Sequence, residues 1–325
     1  MKQIGLWLAL LILALPQSLL ARDLIHEERS IPATDERPIT FYVDRPATDG
    51  KLPMLLVVDG SGCAGQLRET DWGTYAPGAD DPVPYARVMV EKPGVAAETP
   101  HGAECSAAFH RYYTIQNRVL DHLRVLQHLN ANADWWNGEV YVWSWSDGGD
   151  VAAQILTYRP DIDRAVLGAM GGGLTMAEHF ERFWVCPEDM AGDREACLAD
   201  LRSDFAAIEA NPNGTDMWNG ESYATWASRL RTRLSAPLID NRVPILIVHG
   251  DRDFESTPVA SARKLVADLE AAGNPAFTYW EVRGMEHSWR NLPEARQKAL
   301  VDAMLVWLLT GEVDADQVRL AVEGE

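Results

Sequence analysis

The sequence predicts an α/β protein with a mostly parallel central sheet, helices on both faces of that sheet, and one helical insertion. Short, almost uniformly apolar segments of strand length alternate with longer segments whose apolar residues recur every three or four positions. Uniformly apolar strands that are joined by helices are typical of a parallel sheet buried on both faces. The alternation stops between residues 174 and 241, and this stretch is the predicted insertion.

Seven strands and four helices follow from these patterns. The strands, in chain order, are predicted at Ile39–Val43, Met54–Val58, Val88–Val90, Glu139–Trp145, Arg164–Leu167, Val243–Val248 and Phe277–Val282. The helices are predicted at His110–Asn130, Val151–Tyr158, Pro258–Ala271 and Glu294–Leu309. Turn residues 59–62 end the second strand, and Gly311 follows the last helix as its stop.

The order of the predicted elements favours one sheet domain over two independent domains. The chain has 325 residues, which allows one large or two ordinary domains. Because the alternation resumes after the insertion, we expect a core of residues 22–173 and 242–325 and a helical lid at 174–241.

The protein is strongly acidic: 48 acidic and 29 basic residues leave a formal charge of -19. This charge repels phosphate backbones, so no nucleic-acid partner is expected.

Residues 1–21 have the pattern of a secretory signal peptide. A short basic start precedes an apolar run from residue 4 to 15, and a polar turn closes it. The alternative is a membrane anchor, but the run is shorter than the roughly 20 residues that span a bilayer. We therefore expect cleavage near Ala21 and an exported protein, periplasmic or extracellular, with no stable membrane anchor.

Export changes the interpretation of the four cysteines, Cys63, Cys105, Cys186 and Cys197. They contain no C-x-x-C pair and no zinc-finger spacing, so a metal site is not indicated. In an oxidising compartment an even number favours two disulfides. We expect Cys186 to pair with Cys197 across a short loop of the insertion, which leaves Cys63 with Cys105. Free buried thiols are the alternative.

The residues that carry chemistry begin with the segment Ser144-Trp145-Ser146-Asp147-Gly148-Gly149, between a predicted strand and a predicted helix. A sharp strand-to-helix turn needs small residues beside its apex, because the apex backbone is strained and its neighbours approach closely. Ser146 occupies the apex. Its hydroxyl would project from the carboxyl edge of the sheet, where free N–H groups at a helix start can receive a negative charge.

A serine nucleophile needs a histidine base and an acid that orients the histidine. Asp253 follows the predicted strand 243–248, and His287 stands in the loop before the last helix. Asp251 is an alternative acid that is more typical of the turn itself. The order Ser, Asp, His on three predicted strand ends is much harder to obtain by chance than one short serine motif.

With these residues in place, the chain resembles the α/β-hydrolase superfamily over nearly all of its length outside 174–241. The run Ser146-Asp147-Gly148-Gly149 is most similar to the dienelactone-hydrolase and prolyl-oligopeptidase-like branches, here without a propeller domain. The resemblance implies Ser146 as nucleophile, Asp253 as acid and His287 as base. It also implies an oxyanion hole from the backbone N–H groups of Asp147 and Ser61, and it places a lid at the insertion.

Three residues depart from, or add to, that pattern. Ser144 stands where the family usually has glycine, and Asp59 precedes Gly60 where His-Gly is more frequent. The Asp147 side chain has two interpretations: it caps the following helix, or it points inward and favours a cationic leaving group.

The remaining candidates have structural interpretations. His249 is expected to be a packing residue at a strand end, and His101, His110, His122 and His128 are expected to be solvated rather than metal ligands. The insertion aromatics either form its own core or line the cleft and favour an apolar or aromatic acyl group. These are Phe180, Phe183, Trp184, Trp218, Tyr223 and Trp226.

The sequence therefore predicts an exported serine hydrolase that cleaves a carboxylic ester through an acyl-enzyme. A serine peptidase or amidase is the second hypothesis, and a non-catalytic binding protein on the same fold is the third. The expected partner is a small-molecule ester or peptide substrate, with no cofactor and no metal.

Overall fold

The computed structural model describes residues 24–66, 81 and 83–324. The expected signal peptide and its cleavage site lie outside these residues. Within the described part of the chain, no helix combines the length and the hydrophobicity needed to cross a bilayer.

An eight-stranded sheet forms the centre of the protein. Its strand order is β1-β2-β4-β3-β5-β6-β9-β10. Strand β2 pairs antiparallel with both β1 and β4, and all the other neighbouring strands pair parallel. The strands are β1 Leu24–Pro32, β2 Pro38–Pro46, β3 Leu52–Val58, β4 Ala86–Val90, β5 Trp136–Trp145, β6 Arg164–Gly168, β9 Ile245–Gly250 and β10 Phe277–Val282. The predicted α/β class and mostly parallel sheet are confirmed.

Ten α-helices connect and cover these strands in the described residues. They are α1 Ala107–Tyr112, α2 Ile115–Asn132, α3 Asp147–Tyr158, α4 Met176–His179, α5 Arg194–Ala210, α6 Tyr223–Ala227, α7 Ser235–Ile239, α8 Val259–Ala271, α9 Glu294–Thr310 and α10 Ala315–Val322.

Apolar side chains fill both faces of the sheet. Helices α2, α3, α7 and α8 cover one face, with buried residues such as Val125, Val151 and Leu265. Helices α9 and α10 cover the other face, through residues such as Met304 and Ala321. The strands can therefore be apolar on both sides, as the sequence predicts.

The structure differs from the predicted elements in three places outside the insertion. Strand β1 was not predicted, because it is an edge strand without a buried residue and with three consecutive charged residues, Glu27, Glu28 and Arg29. The predicted helix 110–130 is two helices, since the Thr114 side chain accepts a hydrogen bond from the Asn117 N–H and starts a new helix. Helix α10 follows Gly311, which the sequence suggested only as a stop.

The segment 174–241 is mainly helical, but it also contains a small strand pair that the sequence did not predict. The strands β7 Met217–Trp218 and β8 Glu221–Ser222 pair antiparallel around a two-residue turn. Helix α4 continues into a π-helical turn, Phe180–Trp184. A separate apolar cluster around Phe180 and Phe205 holds this segment together, while Leu238 of α7 packs into the main core.

Candidate active site

The candidate nucleophile Ser146 stands at a sharp turn between β5 and α3. Its backbone has φ 54° and ψ -130°, outside the conformations that side-chain-bearing residues prefer. Only glycine fits two positions later, because a Cβ on Gly148 would lie 2.0 Å from the carbonyl oxygen of Val58. The small residues of the motif thus let the turn pack against the end of β3, and they raise Ser146 above the sheet edge.

The structure brings Ser146, His287 and Asp253 together. The Ser146 Oγ lies 2.9 Å from His287 Nε2, and His287 Nδ1 lies 2.7 Å from Asp253 Oδ2. Because β5, β9 and β10 are parallel, the loops that follow their carboxyl ends meet at one edge of the sheet. Three residues far apart in the sequence thereby form one continuous hydrogen-bonded chain.

Asp253 is buried, with 2% of the residue exposed. Each of its two carboxylate oxygens has a hydrogen-bond partner. Its Oδ1 accepts the backbone N–H of Thr257 at 2.9 Å, and Oδ2 faces His287. The alternative acid, Asp251, accepts the backbone N–H of Gly284 at 2.6 Å and serves the turn instead. Of the two aspartates, Asp253 is the one in contact with the histidine.

His249 lies behind the carboxylate, fully buried as expected for a strand-end residue. Its Nε2 lies 2.8 Å from the carbonyl oxygen of Thr257 and 3.5 Å from Asp253 Oδ2. Burial lowers the pKa of His249, so the ring stays neutral and leaves the carboxylate charge to His287.

A side chain at the end of β5, the strand that precedes Ser146, holds the backbone of His287 in place. The indole N–H of Trp145 donates to the His287 carbonyl oxygen at 2.9 Å, and the Trp145 ring meets Trp289 edge to face. The loop after β10 is therefore anchored to β5 itself. The imidazole side chain remains 29% exposed, which leaves it open to a substrate.

Two segments offer backbone donors next to Ser146. Asp147 is the first residue of α3, so its N–H has no partner within the helix. The loop after β3 passes close by, since a Cβ on Gly60 would lie 3.4 Å from Ser146 Cβ. Ser61 follows in that loop and, like Ser146, lines two cavities. The expected oxyanion donors thus belong to segments that flank the hydroxyl.

The side chain of Asp147 points into the protein instead of capping its helix, so the capping interpretation is wrong. Its carboxylate accepts hydrogen bonds from Arg118, Arg229 and Tyr113 at 2.6 to 3.1 Å. Burial opposes ionisation of this carboxyl, but the two guanidinium groups hold its pKa below the ordinary value. The Asp147 carboxyl is therefore ionised, and its negative charge is paired with the positive charges of Arg118 and Arg229.

Sequence reasoning missed this cluster. Arg118 lies on α2, Arg229 lies between α6 and α7 of the insertion, and Tyr113 lies between α1 and α2. Both arginines are buried, at 2% and 4% exposure, but this burial is visible only in the structure. Neither residue belongs to a motif, so no sequence pattern distinguishes them from the other arginines.

Ser144 and Asp59, the two residues that depart from the family pattern, both have polar partners in the structure. The buried Ser144 hydroxyl donates to the Val166 carbonyl oxygen at 2.7 Å, which fixes β5 to β6. The Asp59 carboxylate contacts Lys92 Nζ at 2.6 Å and Gln66 Nε2 at 3.2 Å. Lys92 also donates to the carbonyl oxygen of Ser61 at 3.4 Å, so Asp59 and Lys92 together hold the loop after β3.

Both expected disulfides are present. Cys63 pairs with Cys105, which ties the loop beyond Ser61 to the segment before α1. Cys186 pairs with Cys197, which closes an 11-residue separation between the π-helical turn and α5. The described residues contain no free cysteine.

The insertion aromatics serve both of the expected purposes. Phe180 and Trp218 pack in the insertion's own cluster, together with Phe205. Trp184 and Trp226 also line a cavity of about 360 Å³ that reaches Ser146. A second cavity, of about 250 Å³, also has Ser146 in its lining, together with His287.

The four histidines outside the site do not all behave as expected. His122 is buried at 2% exposure on the inner face of α2, where its Nδ1 lies 2.7 Å from the Arg118 carbonyl oxygen. The prediction of a solvated side chain is wrong for this residue. Among residues 24–66, 81 and 83–324, no three His, Cys, Asp or Glu side chains are grouped to hold a metal ion.

No protein-family model and no curated protein sequence matches the chain. Solved structures match it in fold. Est1E from Butyrivibrio proteoclasticus is 15% identical over 87% of this chain and 98% of its own, with a TM-score of 0.56. An esterase from Pyrobaculum calidifontis is 16% identical over 89% of this chain and 86% of its own, with a TM-score of 0.54.

A larger protein contains the same fold as one part. The Pyrococcus horikoshii acylaminoacyl peptidase is 11% identical over 91% of this chain but only 44% of its own, with a TM-score of 0.58. At these identities the likeness establishes architecture. The chain therefore has the α/β-hydrolase fold, as the sequence resemblance implied.

Proposed function

We propose that this chain is an exported serine hydrolase that cleaves carboxylic esters through an acyl-enzyme. The observation that carries the proposal is the linked pair of distances, 2.9 Å from Ser146 Oγ to His287 Nε2 and 2.7 Å from His287 Nδ1 to Asp253 Oδ2. A serine hydroxyl becomes an effective nucleophile when a histidine accepts its proton and a buried carboxylate orients that histidine.

In the first half-reaction, Ser146 Oγ attacks the ester carbonyl carbon while its proton moves to His287 Nε2. Asp253 stabilises the imidazolium that forms. The carbonyl oxygen becomes an oxyanion, which accepts hydrogen bonds from the backbone N–H groups of Asp147 and Ser61. The bond to the leaving oxygen then breaks, and His287 returns the proton to that oxygen, so that an alcohol departs and the acyl group stays on Ser146.

In the second half-reaction, water attacks the acyl carbon while His287 accepts its proton. Collapse of the intermediate releases the carboxylic acid and restores the Ser146 hydroxyl. The ion pairs of Asp147 with Arg118 and Arg229 matter here. They neutralise a carboxylate next to the nucleophile, which would otherwise oppose the negative charge on the oxyanion.

Labelling by a fluorophosphonate probe tests the nucleophile. We expect the wild type to react and Ser146→Ala to be inert. Ser144→Ala is the matched control, since it removes a hydroxyl two residues earlier and should still be labelled. Failure of the folded wild type to react would favour the non-catalytic alternative.

Ester cleavage is the first choice, and the fold neighbours include both esterases and a peptidase. Short-chain aryl esters and aminoacyl amides with chromogenic leaving groups distinguish the two activities. We expect the esters to have the higher kcat/KM, and faster amide turnover would reassign the protein as a peptidase.

The proposal of export is supported by the apolar pattern of residues 1–21 and by the two disulfides. We expect the N-terminus of the mature protein, measured by mass spectrometry after expression in a bacterium, to lie near residue 22. An intact Met1 on protein recovered from the cytoplasm would contradict export.

A further inference from the structure

The smaller of the two cavities that Ser146 lines is built by the sheet and not by the insertion. This cavity, of about 250 Å³, has no lining residue from 174–241 among the described residues, whereas the larger cavity has several. Strands of the sheet supply its apolar side chains instead. These are Val57 of β3, Met89 of β4, and Trp143 and Trp145 of β5.

The strand register places these four side chains on one face of the sheet. Val57 is paired with Met89 on one side and with Trp143 on the other, and paired residues of neighbouring strands point to the same face. Trp145 follows Trp143 by two residues and therefore points the same way. All four pack in the apolar cluster that contains Met304 of α9. They form a continuous apolar floor across β4, β3 and β5, near the carboxyl ends of these strands.

The same row of side chains is sealed further along the sheet. From Trp143 it continues to Val166 of β6 and Leu246 of β9, and both of these are 0% exposed. Val57 and Trp145 instead remain 8% and 7% exposed. The floor is therefore closed at β6 and β9 and partly accessible at β3 and β5, where the cavity lies.

The charges in the lining favour an uncharged occupant. Besides two histidines, the acidic and basic side chains in the lining are Asp59 and Arg87. Asp59 pairs with Lys92 at 2.6 Å, and Arg87 Nε donates to Asp44 Oδ2 at 3.0 Å. A charged group that entered would lose its hydration without gaining an unpaired counter-charge, whereas an apolar group gains from leaving water.

The volume limits the size of the occupant. An apolar cavity of about 150 Å³ is known to hold benzene, with six carbon atoms, so a cavity of about 250 Å³ holds about six to ten carbons. Ser146 and His287 belong to the same lining. A hydrocarbon group in this space is therefore adjacent to the bond that the proposed reaction breaks.

We propose that the cavity on the α9 face of the sheet is a subsite for one uncharged hydrocarbon chain of about six to ten carbons. This inference rests on the proposed function, because it assigns the chain to an ester that is cleaved at Ser146. The shared chemistry is a medium-length saturated chain, and its source is either the acyl half or the alcohol half of the ester.

Two substrate series test the proposal and distinguish the two sources. The first holds 4-nitrophenol constant and changes the acyl group from acetate through butanoate, hexanoate and octanoate to dodecanoate. The second holds acetate constant and changes the alcohol over the same lengths, with the released acid titrated. All esters are kept below the concentration at which they aggregate. We expect one series to reach its highest kcat/KM at hexyl or octyl length, at least 10-fold above the shortest member and above the dodecyl member. A flat profile in both series would contradict the subsite.

Variants of the floor assign the length preference to this cavity. Val57→Phe fills the space, so the octanoate-to-acetate ratio, or its counterpart in the alcohol series, should fall at least 10-fold. Met89→Ala enlarges the space and should move the maximum towards dodecyl length. Met54→Ala is the matched control, since Met54 is buried in β3 against the opposite face and lines neither cavity. It should keep the wild-type profile. Wild-type profiles in all three variants would mean that the chain binds elsewhere.

Binding to Ser146→Ala separates the subsite from the reaction. Calorimetry with hexan-1-ol and ethanol, neither of which is an ester, is expected to give at least 10-fold tighter binding of hexan-1-ol. Adding Val57→Phe should abolish the difference. Equal binding of the two alcohols would overturn the subsite, whatever the outcome of fluorophosphonate labelling. Tight binding of hexan-1-ol by a protein that the probe does not label would overturn the proposed reaction and keep the cavity as a hydrocarbon site.

Discussion

Arg118 joins Asp147 to the loop that follows β3. Its Nη1 donates to Asp147 Oδ2 at 2.6 Å, and its Nη2 donates to the backbone carbonyl oxygen of Asp59 at 2.6 Å. The guanidinium therefore bridges the two segments whose backbone N–H groups are the proposed oxyanion donors. A planar fork with several donors suits this task, whereas a lysine ammonium is a single point.

Replacing this fork should loosen the oxyanion hole more than it weakens substrate binding. For Arg118→Lys we expect kcat on an aryl ester to fall about 10- to 100-fold, less than the 10²- to 10³-fold typical of deleting an oxyanion donor outright. We expect KM to change less than about 3-fold, because the interaction strengthens only in the transition state. Steady-state kinetics measures both constants.

Arg37→Lys provides the control for this variant. Arg37 also pairs with an aspartate, since its Nη2 lies 2.6 Å from Asp121 Oδ1, but that pair contacts neither donor segment. Its kcat should stay near the wild-type value. A folded Arg118→Lys enzyme with unchanged kcat would remove Arg118 from the arrangement of the oxyanion hole.

Much of the sheet could be predicted, because a buried parallel strand has an apolar side chain at nearly every position. Strand β5 shows this, with burial continuous from Val140 to Trp145. The edge strand β1 lacks that signal, since none of its side chains is buried and its centre is the charged run Glu27, Glu28 and Arg29. The break between α1 and α2 depends on one cap at Thr114, which the continuous apolar spacing across it conceals.

The candidate site likewise has a part that the sequence predicts and a part that it does not. Ser146, Asp253 and His287 each follow a predictable strand, so their convergence follows from the topology of a parallel sheet. Arg118 and Arg229 reach Asp147 from a helix face and from the insertion, and their positions depend on packing that no local pattern encodes.

The two candidate acids should differ sharply when each loses its charge. Asp253→Asn keeps the shape of the side chain but removes the carboxylate that faces His287 Nδ1. A loss of kcat of about 10⁴-fold accompanies this change in a comparable triad, because the histidine then adopts the wrong tautomer. We expect a loss of at least 10³-fold here, measured with an aryl ester.

Asp251→Asn is the matched control for that loss. Asp251 accepts the Gly284 N–H in the turn after β10, and an asparagine oxygen can accept the same bond. We expect kcat within about 5-fold of wild type and a small decrease in melting temperature. A larger loss from Asp251→Asn than from Asp253→Asn would exchange the two assignments.

A buried carboxyl beside the loop after β3 predicts a pH dependence of stability. Glu91 accepts backbone N–H bonds from Gln66 and Lys92, yet burial raises its pKa from 4.5 to about 7. The unfolded chain releases this proton near pH 4.5, whereas the folded chain keeps it until about pH 7. Glu91 therefore lowers the free energy of unfolding as the pH rises between these values.

Glu91→Gln should remove this contribution. Between pH 5 and pH 8, urea unfolding of the variant is expected to show a loss of stability smaller than that of wild type by about 2 kcal/mol. The exposed Glu98→Gln should follow the wild-type curve. Parallel curves for wild type and Glu91→Gln would indicate that Glu91 is ionised in the folded protein across this range.

The two disulfides should contribute similarly to stability but differently to activity. In the chain-entropy model, closing separations of 42 and 11 residues stabilises the fold by about 4 and about 3 kcal/mol. We expect the double variants Cys63→Ser with Cys105→Ser, and Cys186→Ser with Cys197→Ser, to lose about these amounts in urea unfolding. Mass analysis of non-reduced peptides should first find each pair linked in the wild type.

Activity separates the bridges because Cys63 lies two residues after Ser61 in the loop of the proposed oxyanion hole. Loss of the Cys63–Cys105 bridge frees that loop, so kcat on an unsubstituted aryl ester should fall about 10-fold or more at a temperature where the variant is folded. The Cys186–Cys197 bridge lies within the insertion, and its loss should lower kcat less. The reverse order of the two effects would mean that the insertion, and not the loop after β3, limits the geometry of the transition state.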